Sequence, residues 1–369
     1  MQNQNLPVLI FAQSGRFLAQ SATQAGYRVW VADCFGDQDT LAASERWLPL
    51  TNLSTLSSQQ FLTTLNAITK GEACSLIYGS GIEYCYDLLE FLPDNIELLA
   101  NSASNLERLN NPQAFFNLLH QLDLPFPVTT FKSPDSKKGY IAKPHTGNGG
   151  NHIGAISPFI SSKTHYFQKK IDGISGSALF LADSHGTVQI VSINKQYPAP
   201  TVSSPYRLGM IETANDELSP YKAQLSRICT RISTELNLKG LNSLDFIISK
   251  QNTLLVLELN PRPSASMLLN ESPSHPIIQR HIDACLGKIT DQSLPISNEI
   301  SSLRYIYASR DINIANKISW PLTCGDLPSF GSKINCGEPI CTTLVKAINH
   351  VDAVDKHNVL EQKILVQLT

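Results

Sequence analysis

The amino-acid sequence predicts a mixed α/β fold with a parallel N-terminal domain, a strand-rich central domain and a small β-rich C-terminal region. The first observation is a strand–helix–strand pattern in residues 6–33, where apolar runs flank a helical segment that ends at Gly26. The second is a strand-rich stretch from about 125 to 285, interrupted by one clear helix at 220–237. A chain of 369 residues is long enough for two to three domains.

Composition and charge argue against several classes of protein. Hydrophobic residues make up 42% of the chain, which is enough for a full core, and the net charge of −2 without a long basic run gives no indication of nucleic-acid binding. The N-terminus lacks the positive region of a signal peptide, and no segment has the roughly 20 apolar residues of a membrane span. Eight cysteines lie scattered without C-x-x-C spacing, which is typical of reduced thiols in a cytoplasmic protein and disfavours zinc.

The N-terminal pattern predicts a Rossmann-like sheet. Asp33 ends the second strand, where a ribose ligand stands in dinucleotide-binding folds, but the G-x-G-x-x-G pattern is missing because Gly15 stands alone. The sequence therefore disfavours NAD(P) binding. Ligands of open α/β sheets bind beyond the carboxyl ends of the strands. On position alone, four residues that follow strands are expected to line the far side of a cleft: Gly15, Arg16, Gly79 and Gly81.

Three oxygen ligands are predicted on one β-hairpin, formed by Leu241-Asn-Ser-Leu-Asp-Phe-Ile-Ile-Ser and Leu254-Leu-Val-Leu-Glu-Leu-Asn. If the hairpin turns at Gln251-Asn252, Asp245 lies directly opposite Glu258. Strand alternation places Val256, Glu258 and Asn260 on one face and Leu255, Leu257 and Leu259 on the other. Two carboxylates and an amide oxygen would suit Mg²⁺ together with substrate phosphates. The alternative is an ordinary amphipathic hairpin with a polar outer face.

A lysine at the end of a strand precedes a glycine-rich loop in Tyr140-Ile-Ala-Lys-Pro-His-Thr-Gly-Asn-Gly-Gly-Asn-His-Ile-Gly154. Glycines allow backbone N–H groups to approach phosphate oxygens, and Lys143 would add a point charge. The loop is not a P-loop, and a purely structural hairpin loop is the alternative. His145 and His152 are candidate phosphate contacts, although a histidine in a loop is more often only solvated.

Two further segments are candidate ligand contacts. The pattern of residues Tyr166–Gly173 predicts a strand that ends in an Asp-Gly turn. The backbone of such an extended segment can hold an adenine base. The segment Lys195–Gly209 is expected between the central strands and the cleft. There Arg207 would clamp a substrate carboxylate or pair with a neighbouring acid, and Tyr206 would stack on an aromatic substrate or pack locally.

Taken in order, these motifs resemble the ATP-grasp superfamily over roughly residues 6–285. The order is an α/β domain, a helical connector, Lys-Pro with a glycine-rich loop, Gln-x-x-Ile-x-Gly, Asn-x-x-Asp-Phe and Glu-x-Asn-Pro-Arg-Pro. The resemblance implies an α+β grasp fold with a Rossmann-like pre-grasp domain at 1–100 and an ATP-grasp domain at 101–289. The latter would comprise connector helices, a nucleotide-binding lid at about 125–170 and a metal-binding subdomain at about 171–289, followed by a β-rich region at 290–369.

The resemblance also implies a role for each motif, with ATP and Mg²⁺ (or Mn²⁺) as cofactors. Lys143 would contact the α- and β-phosphates, and Arg262 would steady the transferring phosphoryl group. The other implied sets are a phosphate-covering loop with Gly147, Gly149 and Gly150, an adenine-holding hinge of Gln168, Lys169, Lys170 and Ile171, and the metal ligands Asp245, Glu258 and Asn260.

The chain departs from the superfamily pattern at two places. The usual first lysine of the connector is replaced by Asn110 and Asn111. Ser175 and Gly176 stand where a ribose-binding acid often follows the hinge. Both departures bear on how the nucleotide is held, and neither touches the predicted metal ligands.

A closer similarity is to the ATP-grasp proteins encoded among the tetrahydromethanopterin and methanofuran biosynthesis genes of methylotrophic bacteria. The similar stretches are Gly176-Ser-Ala-Leu-Phe-Leu-Ala-Asp, Pro205-Tyr-Arg-Leu-Gly, Gly240-Leu-Asn-Ser-Leu-Asp-Phe, Leu257-Glu-Leu-Asn-Pro-Arg-Pro, Tyr307-Ala-Ser-Arg-Asp-Ile and Gly337-Glu-Pro-Ile-Cys-Thr. This similarity implies an ATP-dependent carboxylate–amine ligase that acts on glutamate and a tyrosine-derived or pterin precursor. A homodimer is expected by analogy. The alternatives are a purine-pathway ligase or carboxylase and a non-catalytic nucleotide-binding regulator.

Overall fold

A computed structural model describes residues 6–147, 150, 153–157, 160–214, 217–289 and 299–368. Two residues of the glycine-rich loop that the sequence singles out, Gly149 and His152, lie outside the described residues. The described part confirms the predicted mixed α/β fold. None of its helices is both long enough and apolar enough to cross a membrane.

The N-terminal domain is a five-stranded parallel sheet with the order β3-β2-β1-β4-β5. Its elements are β1 (Val8–Phe11), α1 (Arg16–Gln24), β2 (Val29–Asp33), α2 (Gln38–Ala42), β3 (Arg46–Pro49), α3 (Ser58–Thr69), β4 (Cys74–Tyr78) and β5 (Ile96–Leu98). Every residue of β1, β2 and β4 is buried, as expected for parallel strands covered on both faces. The predicted strand–helix–strand start is therefore confirmed.

Asp33 is a structural carboxylate of this domain. It is fully buried and accepts hydrogen bonds from the backbone N–H groups of Gly15 (3.0 Å) and Gly36 (3.0 Å) and from Nε1 of Trp47 (2.9 Å). These bonds fix the loop after β1 and occupy the carboxylate. The dinucleotide-type ribose role considered for Asp33 is therefore ruled out by its burial and its partners.

A helical connector leads to a small sheet that we call the lid. The connector contains α4 (Ala103–Asn110) and α5 (Pro112–Gln121), and the lid contains β6 (Thr129–Thr130), β7 (Tyr140–Pro144), β8 (Gly154–Ala155) and β9 (His165–Lys169). The lid strands are antiparallel in the order β6-β9-β7-β8. Phe116 of α5 packs on Tyr166 of β9 with ring centroids 5.8 Å apart, which ties the lid to the connector.

The largest sheet begins directly after the lid. Its first part comprises β10 (Gly173–Ala182), β11 (Val188–Pro198), β12 (Leu208–Thr213), α6 (Lys222–Leu236), β13 (Gly240–Ser249), β14 (Leu254–Asn260) and α7 (Ile277–Cys285). The predicted helix at 220–237 corresponds to α6, whose apolar face is buried against this sheet. It ends at Asn237, which adopts the left-handed conformation with φ of 51°.

Three of the five C-terminal strands continue this sheet: β15 (Ile300–Tyr307), β17 (Cys324–Gly325) and β19 (Pro339–Ala347). The other two, β16 (Ile312–Asn313) and β18 (Lys333–Ile334), pair with each other in a separate two-stranded sheet, and α8 (His350–Leu365) follows β19. The eight-stranded order is β14-β13-β10-β11-β12-β15-β19-β17, so β15 joins the C-terminal region to β12. The sequence does not anticipate α8, a 16-residue helix whose N-cap Asn349 accepts a hydrogen bond from the N–H of Asp352.

The two faces of the eight-stranded sheet have different partners. One face packs on α5 and α6 through residues such as Phe180 and Phe246. The other packs on α7 and on α1 of the N-terminal domain through Leu179, Leu181 and Leu241. Because side chains alternate, Asp245 emerges on the same face as Leu241. This face therefore meets the N-terminal domain and bounds the candidate site.

Candidate active site

The β13–β14 hairpin places Asp245 directly opposite Glu258, as the sequence predicts. The turn itself is centred one residue earlier than expected. Ile248 pairs with Leu254, and Asn252 takes φ of 59° while its N–H donates to the carbonyl of Ser249. A β-bulge then shifts the register between Asp245 and Phe246. The predicted pair thus results from an earlier turn and a compensating bulge.

The bulge also changes which side chains share a face. Leu254, Val256 and Leu259 all belong to the core that packs on α6. The prediction that Val256 shares the face of Glu258 is therefore wrong, as is the grouping of Leu259 with Leu255. The physical reason is the extra residue that a bulge inserts, because it reverses the alternation beyond it. Two of the predicted ligands still face the cleft, since Glu258 and Asn260 do not belong to that core.

The two carboxylates are held in an environment that disfavours their charges. Desolvation deep in the cleft, together with the charge of Glu258, raises the pKa of Asp245, and desolvation raises the pKa of Glu258. Gln196 of β11 donates to Asp245 across 3.3 Å. Opposed carboxylates on two paired strands, next to the amide of Asn260, fit a cation that also binds substrate phosphates. No cluster of three or more His, Cys, Asp or Glu side chains suited to a metal occurs in the described part of the chain.

Arg262 follows the hairpin and is anchored by an acid from the N-terminal domain. It is 8% exposed, its Nε donates to Glu83, and its Nη2 lies 3.5 Å from Oδ1 of Asn260. The other oxygen of Glu83 accepts from the N–H of Gly81 at 2.8 Å. Sequence reasoning missed Glu83, although its position just after the Gly79-Ser-Gly81 turn is the signal that would have indicated it.

Lys143 faces the β13–β14 hairpin from the lid. It lies near the end of β7 and is 8% exposed. Burial lowers its pKa, while the negative charges of Glu258 and Asp245 act in the opposite direction. No described carboxylate lies within salt-bridge distance of its ammonium group. The lysine is therefore a cation that is available to a ligand between the two sheets.

The predicted adenine hinge lies where the lid meets the eight-stranded sheet. The side chain of Gln168 is buried and donates to Oγ1 of Thr129 at 3.0 Å, so it supports the lid. Lys169 lies over the ring of Tyr140 at 5.2 Å, and Lys170 lies 3.6 Å from Asp172. A cavity of about 470 Å³ opens beside these residues and is lined by Lys170, Ile171, Asp172, Ser249, Lys250, Gln251, Thr253 and Leu255.

The glycine-rich loop contacts the predicted substrate segment. Gly147 is exposed, and Gly150 has φ of 73°. A Cβ atom at Gly150 would lie 2.2 Å from the carbonyl oxygen of Tyr206, so only glycine permits this approach. The structure thus brings the loop and the half-buried Tyr206 together, which the sequence did not indicate.

Two predicted cleft arginines are already occupied. Arg207 stacks on Tyr307 at 3.7 Å and donates to the carbonyls of Ala199 (3.1 Å) and Gly337 (3.1 Å). The acid partner considered from the sequence is not found among the described residues. Arg16 is buried and forms a 2.6 Å ion pair with Asp326. Arg16 thereby joins the N-terminal domain to the C-terminal strands, and the expectation that it lines the cleft stays a prediction.

The connector residues at the missing lysine have local partners. Asn111 caps α5 by accepting from the N–H of Ala114 at 3.1 Å, and Asn110 donates to the carbonyl of Glu83 at 3.4 Å. Both line a second cavity of about 310 Å³ that lies between the connector, the lid and the N-terminal domain. Neither asparagine supplies a cation to that cavity.

A comparison with protein families shows what this part of the chain is similar to. Residues 110–266 match the family model described as the ATP-grasp domain. This stretch is therefore similar to ATP-grasp domains. Such domains use ATP with Mg²⁺ and are the catalytic units of ATP-dependent ligases and carboxylases that form C–N bonds. The matched span contains Lys143, Asp245 and Glu258, which surround the cleft.

Solved structures with the same fold include the biotin carboxylase domain of 2-oxoglutarate carboxylase from Hydrogenobacter thermophilus, in complex with MgADP and bicarbonate. It is 13% identical, with a TM-score of 0.74 over 95% of this chain and 89% of that chain. An ADP complex of PurK, an N5-carboxyaminoimidazole ribonucleotide synthetase, is 14% identical, with a TM-score of 0.73 over 100% of both chains. An L-amino acid ligase from Bacillus licheniformis is 14% identical, with a TM-score of 0.72 over 98% of both chains.

Proposed function

We propose that this ATP-grasp protein is an ADP-forming carboxylate–amine ligase that works through an acyl phosphate. The observation that carries the proposal is the meeting of two walls: Lys143 on the lid faces Asp245 and Glu258 on the hairpin. Arg262 lies beside the hairpin, held by Glu83. Cations and acid ligands arranged around one cleft are what phosphoryl transfer to a carboxylate requires.

The proposed reaction has two steps. A carboxylate oxygen of the first substrate attacks the γ-phosphorus of ATP, and the bond between the γ-phosphorus and the bridging oxygen breaks as ADP leaves. The nitrogen of an amine then attacks the acyl carbon, the carbon–oxygen bond to phosphate breaks, and the nitrogen loses a proton. No nucleophilic side chain is needed, so catalysis rests on positioning and electrostatics.

Each predicted site residue has a proposed role in these steps. Asp245, Glu258 and Asn260 would hold Mg²⁺, which when bound offsets the charge of the phosphates. Lys143 contacts phosphate oxygens, and Arg262 stabilises the transferred group. The hinge backbone at Gln168, Lys169, Lys170 and Ile171 holds adenine, while Gly147, Gly149 and Gly150 cover the phosphates. Tyr206 and Arg207 border the substrate space.

The finer proposal concerns the substrates. The similarity to ATP-grasp proteins of tetrahydromethanopterin and methanofuran biosynthesis supports glutamate, or a related amino acid, as one partner and a coenzyme precursor as the other. The amino acid ligase among the structural neighbours supports amino acids as a substrate class through its fold. A purine-type carboxylase is the second candidate, favoured by the full-length match to PurK.

The test is ADP release from MgATP over a panel of amino acids and tyrosine-derived amines, with Glu258→Ala as the blank. We expect ADP that requires both an amino acid and an amine and that is absent from the blank. ADP that instead requires bicarbonate and aminoimidazole ribonucleotide would favour the carboxylase. Failure of every pair, in a protein that binds MgATP, would favour a nucleotide-binding regulator.

A further inference from the structure

His145, which the sequence offers as a candidate phosphate contact, lines the cavity between the lid, the connector and the N-terminal domain. The cavity of about 310 Å³ is lined by His145 and Thr146 from the lid, by Asn110 and Asn111 from the connector, and by Glu83. Glu83 is the acid that holds Arg262. The histidine therefore shares a cavity with the anchor of the candidate catalytic arginine.

The imidazole of His145 has a fixed ring and a free nitrogen. The ring stacks on Tyr166 with centroids 6.5 Å apart and planes at 23°. Its Nε2 is buried from solvent and has no hydrogen-bond partner among the described residues. Buried polar atoms in folded proteins almost always have a partner, so an unpaired nitrogen on a residue that lines a cavity indicates a ligand that approaches from this cavity.

The register of the lid shows which part of a nucleotide this nitrogen would meet. β7 runs away from the hinge, because Tyr140 pairs with Lys169 and Pro144 pairs with His165. The extended pairing continues one residue further, since the N–H of His145 donates to the carbonyl of Thr164 at 3.0 Å. At the rise of a β-strand, His145 lies about 17 Å along the strand from Tyr140, beyond Lys143 at about 10 Å.

Side-chain alternation also places His145 on the face of Lys143, which is turned towards the metal-ligand hairpin. A nucleotide with its base at the hinge and its middle phosphates at Lys143 has its terminal phosphate furthest along this line. We infer that His145 donates a hydrogen bond from Nε2 to the terminal phosphate of the bound nucleoside triphosphate. This inference rests on the proposed function. It supplies the cavity with a hydrogen-bond donor to phosphate, whereas the two connector asparagines supply no cation.

The contact predicts an effect on triphosphates that diphosphates do not share. Affinities for the magnesium complexes of AMP-PNP, a non-hydrolysable ATP analogue, and of ADP would be measured by calorimetric titration of the full chain. His145→Phe keeps a stacked ring on Tyr166 but removes the nitrogen, and we expect it to weaken AMP-PNP binding about tenfold while ADP binding stays unchanged. His145→Gln, which retains an N–H near the Nε2 position, is expected to recover most of the loss.

His165→Phe is the matched control on the same lid, because the Nδ1 of His165 is already paired with Thr164 at 2.9 Å. We expect it to bind both nucleotides as the wild type does. Equal loss of both nucleotides in His145→Phe would overturn the inference in favour of a packing role, and so would unchanged binding of both. If the wild type bound neither nucleotide, the proposed function itself would fail. If the wild type and the His145 variants bound both nucleotides equally well, only the proposed histidine contact would be wrong.

Discussion

The two walls of the cleft, the β13–β14 hairpin and the lid, differ in rigidity. The hairpin wall belongs to the eight-stranded sheet, where β13 pairs with β10 over ten residues and both faces of the sheet are packed. The lid is a four-stranded sheet in which β6 and β8 have two residues each. Regions with few buried apolar contacts open more easily than packed sheets. Asp245 and Glu258 thus lie in the more rigid sheet and Lys143 in the less rigid lid.

This difference separates two tasks. Two carboxylates that repel each other keep their positions only if the surrounding structure holds them, and the hairpin wall does so through the long ladder of β13. The burial of the Lys143 ammonium group without a paired carboxylate is unfavourable. A lysine that binds phosphate can therefore take its final position when the ligand binds. We therefore expect substitutions on the hairpin wall to affect chemistry most and substitution of Lys143 on the lid to affect mainly nucleotide binding.

The largest expected effect is from Glu258→Gln, which removes a proposed metal ligand but keeps the side-chain shape. We expect ADP formation to fall about a thousandfold. The melting temperature without Mg²⁺ should rise, because the repulsion with Asp245 is gone. The measurements are initial rates and thermal unfolding with and without Mg²⁺. Glu235→Gln on the exposed side of α6 is the control, and a wild-type rate in Glu258→Gln would remove the residue from the site.

The rigidity of the hairpin wall can be tested through His281. This buried side chain of α7 accepts from the N–H of Leu241 in β13 and hydrogen-bonds the carbonyl of Leu99, with both distances 2.9 Å. Burial lowers its pKa from 6.5 to about 4. The folded protein therefore resists protonation of this group more than the unfolded chain does, and its contribution to stability is present above pH 6.5 and lost as pH falls towards 4.

We expect the free energy of unfolding to fall by roughly 2–3 kcal/mol between pH 7.5 and 4.5 through this residue alone. Urea unfolding of His281→Asn at both pH values should show a correspondingly smaller drop. A residual drop is expected, since burial also lowers the pKa of His357 to about 4. His275→Asn, on the exposed surface, should behave as the wild type. An identical pH dependence in His281→Asn would contradict this account of how β13 is held.

The same two walls show how far the sequence predicts the structure. A hairpin turn at Gln251-Asn252 predicts the pair of Asp245 and Glu258, and the structure contains this pair, although it forms through an earlier turn and a bulge. The bulge in β14 was not predictable, since it depends on how Val256 and Leu259 both reach the core. The Glu83–Arg262 pair joins residues 179 positions apart, and local periodicity carries no information on such contacts.

Other unpredicted features arise from different causes. The α8 helix has a local signal, an asparagine N-cap at Asn349, which the expectation of short C-terminal strands overlooked. The buried ion pair of Arg16 and Asp326 depends on the C-terminal strands returning to the N-terminal domain. The glycine pattern of the lid loop indicated a phosphate site but not the contact of Gly150 with Tyr206.

On the lid, Lys143→Met tests whether the cation serves the ligand rather than the fold. We expect the affinity for MgATP to fall about a hundredfold, because a charge-assisted phosphate contact is lost. The melting temperature should not fall, since no described carboxylate pairs with this lysine. Lys138→Met, which removes an exposed lid cation, is the control for general electrostatics. Equal nucleotide affinity in both variants would place Lys143 outside the phosphate site.

The smallest effect is expected at the contact between the lid loop and the substrate segment. In Gly150→Ala the new methyl group would meet the carbonyl of Tyr206, and the φ of 73° disfavours alanine, so the loop must move away. Gly154→Ala in the same loop is a matched control, because nothing lies within 4 Å of its Cβ position. If the lid must close on this segment for phosphoryl transfer, turnover of Gly150→Ala should fall about tenfold while ADP affinity is retained. Equal turnover in the two variants would mean that the contact of the loop with Tyr206 is not part of closure. Lys143 would then be the only residue tested here that supports a difference between a rigid wall and a closing lid.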